Sequence, residues 1–469
     1  MKVALGPSLA CVALVAGISI GESNGVEPRL GYAIGVALLA ASMLCARPRR
    51  TLVVVVSAFA IGLAGGSRTA RESVVPSDWS WPAGFAIVEG IVVDEASGNR
   101  YQSSIVVDVR SVDGRPFGRK TRLEAGGRDA LRFRVLRRGD FVIARVRLRA
   151  SGDDVWASRD GAIAIGDDAE LVQFVASRQP HVRVGTAVRE RIERGVRLLP
   201  ERDRALVLGF LLGDTSAVDD TDRAAFRRSG LSHLLAVSGA NVAFVLALAK
   251  PLLRRVGYRA RGAIGVGVVL TFAAATRFEP SVLRAGAMAA VVMLAQVSGR
   301  DVHPARALTI AVGGLLVVDP ALIHSVGFRL SVVATAGIVV GAAPIARRVR
   351  GPLMLREAIA VTIAAQAAVA PLLVVEFGSV PLVALVTNLL AAPAAAPLTM
   401  HGFVASALAP SLPRPLARLV LAPSSWLVAW VRAVAHVGAR VPLEIDGRGL
   451  FAAAMLVVVV AVVRRAVRG

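Results

Sequence analysis

The feature that most constrains the fold of this chain is a series of near-continuous apolar runs, each about 15 to 21 residues long. A helix of roughly 20 apolar residues crosses the hydrocarbon core of a bilayer, where its own backbone satisfies its polar groups. The predicted spans are residues 3–20, 30–46, 51–67, 231–249, 262–276, 281–298, 304–318, 325–343, 357–375, 380–394, 396–410 and 449–464. The sequence therefore predicts a mainly α-helical, polytopic membrane protein with about 12 transmembrane helices.

One part of this assignment has two solutions. Prolines interrupt the stretch 380–410, which forms either two spans or one span followed by a re-entrant segment. In the second case, the apolar run at 419–436 becomes a span. Only the second solution places Arg414 and Arg418 on the cytoplasmic side, which favours it.

The charge balance is strongly basic for so apolar a chain. Hydrophobic residues make up 55% of the 469 positions and the mean hydropathy is +0.61, yet the formal net charge is +22. Apolar spans that alternate with basic loops produce this combination, because basic loops stay on the cytoplasmic side of a membrane. A nucleic-acid partner also favours a basic surface, so composition leaves both explanations open.

The positions of the basic loops predict the orientation and the domain organisation. Lys2, the basic loops at 250–261 and 347–350, and the arginines of the C-terminal tail all fall on the cytoplasmic side. We therefore predict a multi-pass protein of the cytoplasmic (inner) membrane with both termini cytoplasmic and an uncleaved, signal-like first span. The predicted parts are N-terminal transmembrane helices at 1–67, an extracytoplasmic β domain at 68–180, amphipathic linker helices at 181–228 and a transmembrane domain at 229–469. Cys11 and Cys45 lie in apolar segments and predict no disulfide framework.

Residues 68–180 differ from the rest because short alternating strands replace the long apolar runs. The predicted strands are 85–94, 103–114, 131–140 and 141–150. The last two form a predicted hairpin, turning at 138–140, with an apolar inner face and an arginine outer face. The outer face consists of Arg132, Arg134, Arg145, Arg147 and Arg149. Short strands with one buried face suggest a small barrel like the OB-fold, which often binds single-stranded nucleic acid.

The arginine face has two interpretations. It is either a binding surface for single-stranded DNA or a solvated barrel exterior that uses arginine. Aromatic residues for base stacking are few, with Tyr101 and Phe117 as the nearby loop candidates.

A set of polar motifs follows the β domain. The segment 208–248 contains LGD at 212–214, FRRSGL at 226–231, SHLL at 232–235 and VSG at 237–239. In this order the motifs resemble the signature of the competence domain of ComEC-type proteins. Asn241 stands where the family more commonly has histidine.

Further elements continue the resemblance along the chain. They are PSVLRA at 280–285, DP at 319–320 with GFRLS at 327–331, the stretch from Gln366 to Pro371, and NLLAAP at 388–393. Arg329 replaces the usual glutamine of the GFQLS element. The resemblance covers about 205–410, and more loosely the N-terminal spans and the β domain.

Several of these polar residues fall within or beside apolar spans, where they cost energy unless they face protein or water. The candidate residues for a DNA path are Asp214, His233, Ser238, Asn241, Arg277, Arg284, Arg329, Gln366 and Asn388. Close helix packing with an interhelical amide bond is the alternative for Ser238 and Asn241. Snorkelling to lipid headgroups is the alternative for Arg284 and Arg329.

The resemblance implies a DNA-uptake channel subunit that moves single-stranded transforming DNA across the cytoplasmic membrane in natural competence. The expected partners are single-stranded DNA, membrane lipids, a membrane-anchored DNA receptor and a cytoplasmic helicase-like ATPase. The sequence predicts no cofactor and no metal site, because its six histidines are scattered. Nuclease activity is not expected of this polypeptide and would come from a separate chain. The alternatives are a secondary transporter or exporter of an anionic small molecule or lipid precursor, and a degenerate paralogue with a scaffold role.

Overall fold

A computed structural model describes residues 5–24, 47–72, 74–75, 79–98, 101–152, 162–297, 299–441 and 444–446. The chain forms two compact units. Unit 1 comprises residues 1–189 and 252–325, and unit 2 comprises residues 190–251 and 326–469. The predicted spans at 30–46 and 449–464, and Cys45, lie outside the described residues.

Helices dominate both units. The helices are α1 (Leu5–Asn24), α2 (Arg47–Glu72), α3 (Gly127–Phe133), α4 (Pro180–Val196), α5 (Glu201–Leu212), α6 (Asp220–Arg228), α7 (Ser232–Leu235), α8 (Gly239–Leu253), α9 (Tyr258–Ala275), α10 (Pro280–Val297), α11 (Pro304–Val318), α12 (Val326–Ala346), α13 (Leu353–Phe377), α14 (Ala384–Leu408) and α15 (Arg414–Gly438). The strands are β1 (Phe85–Gly98), β2 (Gln102–Val112), β3 (Arg115–Gly126), β4 (Phe141–Ala150), β5 (Ala164–Val175), β6 (Ser379–Pro381) and β7 (Glu444–Asp446).

Strands β1 to β5 form a closed barrel in unit 1, in the order β1-β2-β3-β5-β4. Strand β1 pairs antiparallel with both β2 and β4, and β3 pairs parallel with β5. Alternate residues such as Val88, Val107 and Val146 fill the interior and are fully buried. The predicted small β-barrel is therefore confirmed, with five strands.

The predicted hairpin of 131–140 with 141–150 is wrong. Residues 127–133 form helix α3, so Arg132 lies on a helix and Arg134 follows its end. The buried residues here are Ala130, Phe133 and Leu136, which recur every third position, whereas Leu131 and Val135 are exposed. An apparent period of two in a short run therefore concealed a helical turn. Strands β3 and β5, which the sequence analysis missed, complete the barrel instead.

Among the residues that the structure describes, five helical segments are long and apolar enough to cross a membrane. They are Pro280–Val297, Val326–Ala346, Leu353–Phe377, Ala384–Ser411 and Arg414–Gly438. Shorter apolar helices lie at Leu9–Gly21, Gly239–Pro251, Ala260–Ala275 and Pro304–Val318. The chain is thus a mainly helical membrane protein, but the predicted number of about 12 spans is not confirmed.

Three of the predicted spans have a different form. The predicted span 231–249 is broken, since α7 ends at Leu235 and α8 begins at Gly239. The predicted pair 380–394 and 396–410 is one helix, α14, which continues through Pro393 and Pro397. Helix α15 contains the run 419–436, which was the alternative span. Its Trp430 indole donates a hydrogen bond of 2.9 Å to the Leu390 carbonyl in α14.

Candidate functional site

The motif segment begins where helix α5 ends in unit 2. Gly213 closes the helix in a left-handed conformation with φ of 73°, and its amide bonds back to the Gly209 carbonyl. In the loop that follows, the Asp214 carboxylate accepts bonds from the Ser216 amide at 3.1 Å and from its hydroxyl at 2.6 Å. Asp214 therefore stabilises the turn between α5 and α6 by accepting hydrogen bonds from a residue of the same loop.

A cluster of five charged or titratable side chains joins α5 and α6 to α15 in unit 2. We call it the aspartate cluster; its members are Arg202, Asp203, Asp222, Arg432 and His436. The Asp222 side chain is only 1% exposed. Arg202 donates to both of its oxygens at 2.8 Å, and His436 Nε2 lies 2.7 Å from Oδ1. Beside it, Arg432 donates to Asp203 at 2.9 Å.

The partners of Asp222 decide its ionisation. Burial alone would raise the pKa of this carboxyl, but the hydrogen bonds and charges of Arg202 and His436 outweigh burial and hold the pKa below its ordinary value. The sequence analysis missed this cluster. The signal was present in the second half of α15, where Arg432 and His436 are four residues apart in an otherwise apolar stretch.

The FRRSGL motif packs against α14. Gly230 has φ of 74°, and a Cβ at this position would collide with the Cβ of Ala384. The Thr387 hydroxyl donates a bond of 2.7 Å to the Ser229 carbonyl. Glycine is needed here for both its left-handed backbone and the close approach of two segments. The motif therefore fixes the junction between α6 and the start of α14.

The broken span places two candidate residues at the start of α8. The Asn241 side chain, 5% exposed, donates from Nδ2 to the Phe210 carbonyl of α5 at 3.1 Å. Its Oδ1 accepts from the Ser238 hydroxyl at 3.1 Å. This arrangement is an interhelical amide bond, the structural alternative for this pair. His233 lies exposed on α7, with Nδ1 3.1 Å from the Gly230 carbonyl.

Three further candidates lie in the long helices of unit 2. Arg329, near the start of α12, forms an ion pair of 2.8 Å with Glu376, near the end of α13. Gln366 in α13 and Asn388 in α14 are half-buried. The partner of Arg329 is thus a carboxylate of the chain itself, and the sequence analysis did not identify it.

The two candidates of unit 1 lie in α10 and in the loop before it. Arg284 is only 6% exposed, with Nη1 3.3 Å from the sulfur of Met288. Arg277 has φ of 61° at the end of α9, where helices usually place glycine. The barrel contacts this loop, since Arg138 donates to the Arg277 carbonyl at 3.3 Å and covers the Phe278 ring. The Arg284 side chain is therefore almost fully covered by protein.

On the barrel, Arg145, Arg147 and Arg149 form one line on the outer face of β4, and we call them the arginine row. Each pairs with an acid of β5: Glu170 at 3.4 Å, Asp168 at 3.6 Å and Asp167 at 2.6 Å, respectively. We call these three acids the acidic row. Arg132 pairs with Asp129 of its own helix at 3.1 Å. Of the aromatic candidates, Tyr101 is exposed, whereas Phe117 is buried against Trp79.

The candidates belong to two different units. Ser238 and Asn241 meet in unit 2, whereas Arg277, Arg284 and the arginine row belong to unit 1. Within the described residues, no group of three histidine, cysteine or acidic side chains is arranged to hold a metal ion. The geometry of unit 2 is that of a tightly tied helix junction with buried polar bonds.

Comparison with known proteins identifies the family. The model of the family described as Competence protein matches residues 210–467. ComE operon protein 3 of Bacillus subtilis (strain 168) is 27% identical over 236 residues, which are 50% of this chain and 30% of that protein. The chain thus covers less than a third of the length of this curated relative. No solved structure gives a significant match. Because the family model covers more than half of the chain and includes the α5–α8 junction, the chain belongs to the competence protein family of ComEC type.

Proposed function

We propose that this chain is a channel subunit that carries single-stranded transforming DNA across the cytoplasmic membrane during natural competence. The observation that carries the proposal is the competence-family match over 210–467. Among the described residues, all five of the helical segments that are long and apolar enough to span a membrane lie in that region. A membrane region of this family is the part expected to conduct DNA.

The physical demand on such a channel is to pass a polyanion through a layer of low dielectric. Fixed positive groups reduce the cost of bringing phosphates there. Arg329 is one such group in unit 2, and Arg284 is one in unit 1. The helix junction at Gly230 and Asn241 would hold the surrounding helices in place rather than touch DNA.

The proposal includes an orientation and a set of partners. The barrel would lie outside the membrane, both termini would lie in the cytoplasm, and the arginine row would meet DNA before the helices do. A membrane-anchored receptor would deliver the DNA, a helicase-like ATPase in the cytoplasm would supply work, and a separate nuclease would remove the other strand. The alternation of basic loops along the sequence supports this orientation.

The test is genetic complementation in a naturally competent host. A strain that lacks the gene should bind fluorescent duplex DNA at its surface but fail to bring a strand into the cytoplasm. Wild-type protein and the control Gly257→Ala, whose added Cβ meets no atom, should restore entry. Gly230→Ala, which forces the junction apart, should reduce entry at equal membrane abundance. Full DNA entry in the deletion strain would contradict the proposal, and loss of an anionic metabolite flux instead would favour a small-molecule transporter.

A further inference from the structure

The arginine row and the acidic row match one to one across two neighbouring strands. The arginine side chains are 50%, 59% and 51% exposed, so they face outward along β4. The strands β4 and β5 are antiparallel, with Arg145 opposite Glu170 and Arg147 opposite Asp167. The arginine row and the acidic row together therefore have no net charge, although the sequence of β4 alone suggests a strongly basic face.

A distortion of β5 makes this match possible. In a regular strand, successive residues alternate between the two faces, so adjacent Asp167 and Asp168 would point to opposite sides. The pairing of β4 with β5 shifts between Arg145 and Arg147, and Asp168 has φ of 52°. This bulge leaves Gly166 and Ala169 buried on either side while both aspartates lie on the outside. An uncommon backbone conformation thus brings a third carboxylate to the face.

Two of the arginines also contact an aromatic ring. The guanidinium carbons of Arg145 and Arg147 lie 4.4 Å and 4.8 Å from the centre of the Phe85 ring. Phe85 is 38% exposed. Guanidinium groups beside a partly open aromatic ring are the components of a single-strand binding face, which contacts phosphates and stacks bases. In the structure, however, the arginine row is bound by the carboxylates of the acidic row.

We propose that the acidic row is a built-in competitor for DNA, which occupies the arginine row until phosphates replace it. The proposal rests on the proposed function, because the polyanion it names is the single strand to be transported. Exposed ion pairs contribute little stability, so phosphates exchange with them at low cost. Carboxylates that return to the arginines then speed release of the strand. Such exchange suits a surface over which DNA passes.

The test measures binding of a fluorescent oligothymidylate to the full-length protein in nanodiscs of zwitterionic lipid, over a series of salt concentrations. The variant Asp167→Asn/Glu170→Gln removes two competitors and keeps the bulge residue. The matched control, Asp108→Asn/Glu124→Gln, removes two acids from the β2 and β3 side of the same barrel. We expect at least tenfold tighter binding for the first variant and less than threefold for the control. The salt slope should steepen by about 0.7 for each phosphate newly contacted.

A second variant separates local competition from a general change in charge. Adding Arg145→Gln/Arg147→Gln/Arg149→Gln to the acid variant should abolish the gain in affinity. Equal gains for the acid variant and its control, or no gain in either, would overturn the proposal, and so would absence of binding by every protein at low salt. Thermal unfolding of each protein checks that the barrel is intact. The proposed function fails on a different result, which is undiminished DNA entry in the deletion strain.

Discussion

Opposite charges meet in two environments in this protein, on the barrel and in the aspartate cluster. On the barrel, the paired side chains are each about one third to two thirds exposed. In the aspartate cluster, Asp222 is 1% exposed and is bound by two partners at once. Water competes for every bond of the first set and is excluded from the carboxylate of the second. The first set is therefore suited to exchange its partners and the second to hold helices together.

The largest effect is expected from breaking the aspartate cluster. Arg202→Ala leaves Asp222 buried with one partner and should lower the free energy of unfolding by about 3 kcal/mol. Unfolding of purified protein in mixed micelles by sodium dodecyl sulfate measures this. Arg223→Ala is the control, because its partner Asp220 is 93% exposed, and it should cost less than about 0.5 kcal/mol. Equal costs would show that the buried carboxylate is not what holds α5, α6 and α15.

The same cluster predicts how stability changes with pH. The pKa of Asp222 is depressed in the folded protein, so its contribution is complete above the unfolded pKa of about 3.9. The contribution is then lost as the pH falls further, through the folded pKa. Asp222→Asn should be less stable than wild type at neutral pH, and the two should converge below about pH 4. The measurement is the melting temperature of wild type, Asp222→Asn and the control Asp220→Asn over a range of pH. If Asp222→Asn stays less stable than wild type in acid, the prediction is wrong.

An intermediate effect is expected at the Arg329–Glu376 pair, which is less buried than Asp222. Arg329→Gln should destabilise unit 2 by about 1–2 kcal/mol, since it leaves Glu376 without its charged partner. The exchange Arg329→Glu/Glu376→Arg restores opposite charges and should recover most of that stability. DNA uptake separates structure from transport. If uptake returns with the exchange, the pair acts as a helix contact, whereas stable protein without uptake places Arg329 on the DNA path.

The smallest effect on stability is expected on the barrel. Glu170→Gln removes one exposed partner of Arg145 and should change the free energy of unfolding by less than about 0.5 kcal/mol. Its effect should appear in DNA affinity instead. A loss of more than about 1 kcal/mol would mean that the acidic row supports the barrel itself, and the contrast with the aspartate cluster would disappear.

Patterns that repeat locally were sufficient for much of the fold. The run 304–318 matches helix α11 residue for residue, and the alternation in 85–94 and 141–150 lies within β1 and β4. The pattern misled where it was short, as at Leu131, Phe133 and Val135. It also misled where a break inside an apolar run leaves its composition unchanged, as between α7 and α8.

The candidate site was harder to predict because its important contacts join distant residues. Asp222 and His436 are 214 positions apart, and Asn241 bonds to the backbone of Phe210. A backbone carbonyl is present at every position, so the side-chain pattern of a sequence does not indicate which carbonyl accepts a bond. The acidic row depends on a bulge at Asp168, which the alternation of apolar and polar residues along a strand does not predict. Sequence showed which residues are polar in an apolar chain, and the fold decided which of them face each other.

The closure of the barrel has a consequence for how the protein is made. Its five described strands lie within residues 85–175, and because β1 pairs with β4, none of the five keeps an open edge. All of these residues are synthesised before unit 2, which begins at residue 190. Domains generally fold as units in the order of synthesis, and open strand edges recruit other chains. The barrel can therefore complete itself while the apolar helices of unit 2 are still being synthesised, and it then offers them no strand with which to aggregate.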